Sequence, residues 1–229
     1  MSLKQSKFVQ LLKANEDRRK SFELAVSMPS GRRMGALRLI DKARSIDPLL
    51  TSNLTKWRNA TKQFFLTQFN ATEERTQQWL DNIVLPSGDR LLFELLDDTG
   101  GTIGHAGVCN LNEHSCELDN FIRGESGGDP GLFVAAECTL LHWLFCDLGL
   151  ETVSLYVFSN NWIPISNHIS IGFSISKKHA LSRVEKNDMV QHLLDSQEGD
   201  PVKYSYLKMT ISSADFHSAQ RQQLLNDGR

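Results

Sequence analysis

The chain has 229 residues, 40% apolar and 8% aromatic, with a net charge of −2; this is ordinary for a packed globular protein and excludes disorder along its whole length. No apolar run approaches the ~20 residues that span a bilayer, and the polar, basic N-terminus lacks the apolar core of a secretory signal. No membrane partner is therefore expected, and the default compartment is cytoplasmic. Residues 1–34 hold 8 Lys/Arg against 3 Asp/Glu, which leaves residues 35–229 at a net −7. A body that acidic is a poor general nucleic-acid binder, so no nucleic acid partner is expected either.

Residues 4–27 carry apolar positions at helical spacing (Phe8, Leu11, Leu12, Phe22, Ala25, Val26). With the stop signal Met28-Pro29-Ser30-Gly31 they read as a basic helical extension over 1–34. A domain over 35–211 and a polar tail over 212–229 follow. Residues 35–41 fit a strand. Asp47-Pro48 then supplies an N-cap and a first-turn proline for a helix with Leu49, Leu50, Leu54 and Trp57 on one stripe. Thr72-Glu73-Glu74 opens a second helix that ends in Trp79-Leu80, its acidic first turn suiting the helix dipole. Trp57 and Trp79 are expected to pack in the core.

Arg90–Asp97, Thr102–Asn110 and Ser115–Arg123 read as an antiparallel meander, with Asp98-Thr99-Gly100-Gly101 as the hairpin turn. The last of these strands runs into a glycine-bearing loop, 124–130, and then into a helix over 131–147. Apolar Leu132, Ala135, Ala136, Leu140, Trp143 and Leu144 form its stripe. Strand 151–158, a helix containing Pro164, and Gly172-Phe173 come next, and Lys203–Ile211 alternates as one more strand. The sum is a mixed α/β sheet of about seven strands. Its four cysteines, Cys109, Cys116, Cys138 and Cys146, lack metal-ligand spacing and read as small buried apolar residues, and no metal is expected.

The stretch Glu117–Phe173 carries the chemistry. A strand that feeds a glycine loop and a helix N-terminus converges backbone amides on an anion. Gly124, Gly127 and Gly128 permit positive φ in that loop, and Asp129-Pro130 fits as N-cap and first-turn proline. By period-two alternation Glu117, Asp119, Phe121 and Arg123 share one face unless a bulge intervenes. Glu117 and Asp119 are candidate general bases, or alternatively readers of a cationic substrate or part of an exposed polar edge.

In this order several motifs resemble the GCN5-related N-acetyltransferase superfamily, in particular its ribosomal-protein alanine, spermidine and nucleotide-amino-sugar branch. They are Leu54-Thr55-Lys56-Trp57-Arg58-Asn59, the Thr72…Trp79-Leu80 helix, Gly101-x-x-Gly104, and Asn161 eleven residues before Gly172-Phe173. The resemblance covers residues 35–211. It implies a mostly antiparallel sheet with splayed central parallel strands and flanking helices, a homodimer as a family-level expectation, and acetyl-CoA as co-substrate for an amine acceptor.

It also implies a cofactor site at Phe121, Ile122, Arg123, Ser126, Gly127, Gly128, Gly131, Leu132 and Asn161. There the pyrophosphate would meet amides of 126–132 and the pantetheine would run along strand 115–123. A strand amide would polarise the thioester carbonyl. A small-molecule amine, such as an amino sugar, is the leading acceptor, with a protein N-terminus second and a catalytically weak acyl-CoA-binding module as the alternative of another class.

Two positions depart from the family pattern. Asp129 stands where the loop's first glycine is expected, and an acidic side chain there would repel a pyrophosphate unless it turned away to cap the helix. His168 stands where many members have a tyrosine that protonates the leaving thiolate. A neutral imidazole can still donate a hydrogen bond, so His168 is a catalytic candidate, with a surface-exposed helix histidine as the other reading.

Overall fold

The computed structural model describes residues 3–28 and 30–227. In chain order the elements are α1 (Leu3–Lys13), β1 (Glu23–Ser27), β2 (Arg33–Leu39), α2 (Lys42–Ser45), α3 (Pro48–Ala60), β3 (Thr67–Gln68), α4 (Glu73–Trp79) and β4 (Leu91–Asp97). They continue with β5 (Thr102–Cys109), β6 (Ser115–Arg123), α5 (Leu132–His142), β7 (Thr152–Phe158), α6 (Trp162–Ile171) and β8 (Ser174–His179). The last are β9 (Leu181–Lys186), β10 (Met189–Leu194), β11 (Asp200–Pro201), β12 (Tyr206–Ser212) and α7 (Ser213–Asp227). Helices α4 and α5 each run on into a five-residue π segment, Leu80–Val84 and Trp143–Asp147. The chain divides into two compact units: residues up to Trp57 together with Thr72–Val153, and Arg58–Ala71 together with the chain from Ser154 onward.

The first unit is an antiparallel sheet in the order β1-β2-β4-β5-β6. Strand register puts Leu37, Leu39, Phe93 and Leu95 on one face, where Phe93 meets Trp143 edge-on at 6.2 Å between ring centroids. Helix α5 covers that face with buried Leu132, Ala136 and Leu140, the stripe read from the sequence. Glu94 and His105 point to the opposite face. The Glu94 carboxylate is only 1% exposed and accepts two bonds from Arg44 of α2, Nε at 2.8 Å and Nη2 at 2.9 Å. Burying that carboxylate is tolerable because the guanidinium meets it in a two-pronged pair.

The helix expected over 4–27 is corrected. Helix α1 stops at Lys13, whose ammonium donates to the carbonyls of Val84, Ser87 and Arg90. Residues 23–27 are instead the edge strand β1, paired in register Leu24↔Leu37 and Val26↔Gly35. A five-residue strand offers too few alternations to stand out against the apolar pattern around it. Pro29, part of the expected helix stop, lies outside the described residues.

In the second unit β12 lies between β7 and β8 and pairs antiparallel with β8. A small sheet in the order β11-β9-β10-β3 accompanies it. That sheet was not expected from the sequence, because neither strand alternates: Leu181 and Val184 of β9 are three apart, and β10 carries its apolar residues in pairs, Met189-Val190 and Leu193-Leu194. Their turn, Asn187-Asp188, was a usable signal. Both residues take positive φ, 50° and 60°, as a two-residue hairpin turn of the primed kind requires. Phe158, His192 and Tyr204 cluster inside this unit, and the His192 Nε2 lies 2.7 Å from the Tyr204 hydroxyl.

Of the four cysteines, Cys109 and Cys116 are buried as expected, Cys138 is half-buried and Cys146 is exposed. Burial pushes the Cys109 thiol up to about 12, which leaves it inert as a nucleophile.

Candidate functional site

Strand β6 contains a bulge. Asp119 pairs with Gly107 and Ile122 with His105, so Asn120 and Phe121 together face one residue, Ala106. Asn120 takes the left-handed conformation, φ 52°. Asp119 fixes it there, accepting from the Asn120 backbone N–H at 2.8 Å and from its Nδ2 at 2.6 Å. The inserted residue reverses the alternation, so Phe121 and Arg123 do not share a face with Glu117 and Asp119. Phe121 and Arg123 turn toward α5, where both meet the Phe133 ring, at 5.7 Å between centroids for Phe121 and 5.3 Å for the Arg123 guanidinium. Glu117, Asp119 and Ile122 lie on the other face with His105.

The two carboxylates differ in their surroundings. Both oxygens of Asp119 are engaged, by Asn120 and by Arg90 Nη1 at 2.9 Å. Glu117 accepts a longer bond, 3.4 Å, from Asn110.

The loop after β6 is held by side chains on every side. Gly124 and Glu125 both donate their backbone N–H to the Ile103 carbonyl, at 2.9 and 3.0 Å. Glu125 accepts from Lys56 Nζ at 2.6 Å and Trp57 Nε1 at 2.9 Å, and these two donors, Lys56 first, hold its carboxyl below the ordinary range. Arg123 Nη2 donates to the Gly127 carbonyl. Gly127 and Gly128 take positive φ, 144° and 65°, as expected. Gly124 does not; its glycine is required because a Cβ would sit 2.1 Å from the Trp57 indole.

Ser126, Gly127, Gly128 and Gly131 are exposed at the surface of this loop, whereas the Leu132 side chain is fully buried. Helix α5 starts at Leu132 with Gly131 as its N-cap. Asp129, the expected N-cap, therefore stands two residues before the actual one and closes a turn instead. Its Oδ1 accepts from the Gly131 N–H at 2.9 Å, and its Oδ2 pairs with Arg32 Nη2 at 2.6 Å. The Arg32 guanidinium, and after it the Gly131 amide, hold the Asp129 carboxyl below its usual range.

Asn161, at the N-cap position of α6, and His168, within it, both lie in the second unit. Asn161 precedes the helix, and its side chain makes no cap bond. His168 is 8% exposed and sits edge-on to Phe173, 5.6 Å between centroids. The surface-histidine reading is thereby corrected. Gly172 ends the helix at φ 117°, so the Gly-Phe pair is a helix stop that delivers Phe173 to the core.

Three residues that hold these segments were named from the sequence as a motif, but without this role. Trp57 does more than fill the core: it stacks on His105 at 5.9 Å and ties down Glu125. The next two residues of the same motif act in the second unit. Arg58 lies over Phe65 at 3.3 Å and donates to the Thr67 carbonyl. Asn59 exchanges two bonds with the backbone of Ala71. The motif Trp-Arg-Asn thus fastens two loops at once. Among the described residues no group of three or more His, Cys, Asp or Glu is placed to hold a metal ion, and no helix is long and apolar enough to cross a membrane.

No protein-family model and no curated protein sequence matches the chain. Solved structures do. The spermidine N-acetyltransferase of Vibrio cholerae, solved with CoA and spermine, is 17% identical, covers 80% of this chain and 98% of its own, and superposes with a TM-score of 0.59. RimL, a ribosomal L7/L12 α-N-protein acetyltransferase solved with coenzyme A, is 12% identical over 83% and 98% of the two chains, with a TM-score of 0.61. FdhC, a nucleotide-linked sugar GNAT, is 15% identical over 83% and 93%, with a TM-score of 0.58. The chain has the fold of the GCN5-related N-acetyltransferases, a mixed α/β architecture with mostly antiparallel pairing.

Proposed function

We propose that this chain is an acetyl-CoA-dependent N-acetyltransferase acting on a primary amine. The observation that carries the reading is the unit formed by bulged β6, its glycine loop and α5. An exposed loop of positive-φ glycines opens a helix, and each loop carboxylate is already matched by a cation or amide of the protein. Such a loop fits the pyrophosphate of acetyl-CoA, with amides of residues 126–129 as donors, since Pro130 has no N–H and the Gly131 and Leu132 N–H groups are taken by Asp129. Acetyl-CoA supplies the activated acyl group. A backbone amide of β6 other than that of Asn120, which Asp119 holds, polarises the thioester carbonyl, and much of the rate comes from holding the amine in line with it.

Glu117, on the same β6 face as Asp119, takes the proton released by the attacking amine, directly or through a water. Asp119 acts by fixing the bulge and by adding negative charge that favours a cationic acceptor. His168 donates the proton that the leaving thiolate takes up. The acceptor is a small amine, an amino sugar before a polyamine. Glu117 and Asp119 make the β6 face attractive to an ammonium group, which both of these share with a protein N-terminus.

A thiol-release assay with acetyl-CoA across amino sugars, polyamines and peptides with N-terminal alanine tests the proposal. Turnover on a small amine is expected, and turnover on the peptides alone would move the acceptor to a protein. Tight CoA binding with no turnover on any amine would reduce the chain to a binding module. His168→Phe should lower kcat about a hundredfold while leaving CoA affinity within about threefold; an unchanged kcat would remove His168 from the mechanism.

A further inference from the structure

Asp129 poses a physical problem for the proposed site, because a carboxylate beside a loop built for phosphates would repel them at close range. The structure offers a solution from 97 residues away in sequence. Arg32 lies at the end of the β1–β2 turn, which is closed by the Met28 N–H on the Arg32 carbonyl at 2.9 Å and by Gly31 at φ 85°. From there its Nη2 reaches Asp129 Oδ2 at 2.6 Å, while Nε and Nη2 lie 3.2 and 2.9 Å from Met28 Sδ. The other carboxylates near the loop are matched as well. Glu125 has Lys56 and Trp57, and Asp97 is held by the Thr99 hydroxyl and by the amides of Thr99 and Gly101.

We infer that Arg32 is a positioning residue for CoA binding: it cancels the charge of Asp129 and aims that side chain at the Gly131 amide, leaving the loop free to accept a polyphosphate. This rests on the proposed CoA site. The Arg32–Asp129 pair is half-exposed and is worth little to stability; its effect is on the field at the loop.

The claim is testable because four proteins set the charge of this pair in steps. Asp129→Asn leaves it at +1, the wild type and the Arg32→Ala/Asp129→Asn double variant at 0, and Arg32→Ala at −1. Asparagine keeps the oxygen that accepts from Gly131, so the turn survives. Calorimetric titration with CoA at low salt should rank affinity in that order. Arg32→Ala is expected about tenfold weaker than wild type, and the double variant within about twofold of wild type. The Arg32→Ala defect should shrink in high salt as screening sets in.

Thermal unfolding of each variant separates a folding defect from a binding defect. Equal weakening of Arg32→Ala and the double variant would overturn the inference, since Arg32 would then act on the ligand directly or through folding. Wild-type affinity in Arg32→Ala would also overturn it. Absence of CoA binding by the wild type would overturn the function reading and this inference together, whereas binding that ignores the charge series overturns only the inference.

Discussion

Trp57 shows how one side chain sets the geometry of the proposed site. It is 1% exposed, its ring fills the space that lets Gly124 pass beneath it, and its N–H holds Glu125. Trp57→Ala should cost about 3–5 kcal/mol in urea unfolding, the range for a large aromatic removed from a core. Gly124→Ala should also destabilise, because its methyl would collide with the indole. The two losses should be less than additive in the double variant, since removing the ring removes the collision; strict additivity would show that the contact does not matter.

At this scale the sequence was only partly legible. Trp57, Arg58 and Asn59 stand out as a motif, and the positive φ of Gly127 and Gly128 is legible as well. The reason Gly124 is glycine, the Arg32–Asp129 pair and the Arg90–Asp119 pair were not readable. Each depends on which distant segment folds alongside, and no local period records that.

Among the elements, β6 matters most. Its hydrophobic alternation continues through the bulge in sequence, with Cys116, Leu118 and Ile122 all buried. Yet Leu118 and Ile122 lie on opposite faces. Period-two reading therefore misplaced Phe121 and Arg123, and only the asparagine at the left-handed position hinted at the break. Asn120→Val should cost about 1–2 kcal/mol for forcing a β-branched residue to positive φ, with Asn120→Gly closer to wild type in chemical denaturation. Equal stability of the two would argue against the bulge. Deleting Asn120 outright should leave a regular strand, with Ile122 still opposite His105 and Arg123 still opposite Gly104, and should weaken CoA binding by removing the bulge from the proposed site.

The strands of the small sheet were missed for a different reason. Strands β9 and β10 lack the period-two alternation on which pattern reading depends, so only their Asn-Asp turn marked them.

Across the molecule, the basic leading segment is part of the first unit. It supplies an edge strand in β1, a cation for the loop in Arg32, and in Lys13 a buried ammonium that draws together three carbonyls. We propose it as an integral part of the acetyltransferase fold here rather than an accessory tail. Burial pushes Lys13 down from 10.5 to about 8. Between those values the unfolded chain holds a proton that the folded protein has lost, so stability should rise as pH climbs through that window. Lys13→Met should lack this rise when unfolding free energy is measured at pH 8 and pH 10.

The central claim is that bulged β6, its loop and the start of α5 bind acetyl-CoA. Amide hydrogen exchange with and without acetyl-CoA tests it most directly. The account predicts slowed exchange concentrated between Phe121 and Ala135; unchanged exchange there, with saturating ligand bound elsewhere or not at all, would contradict it.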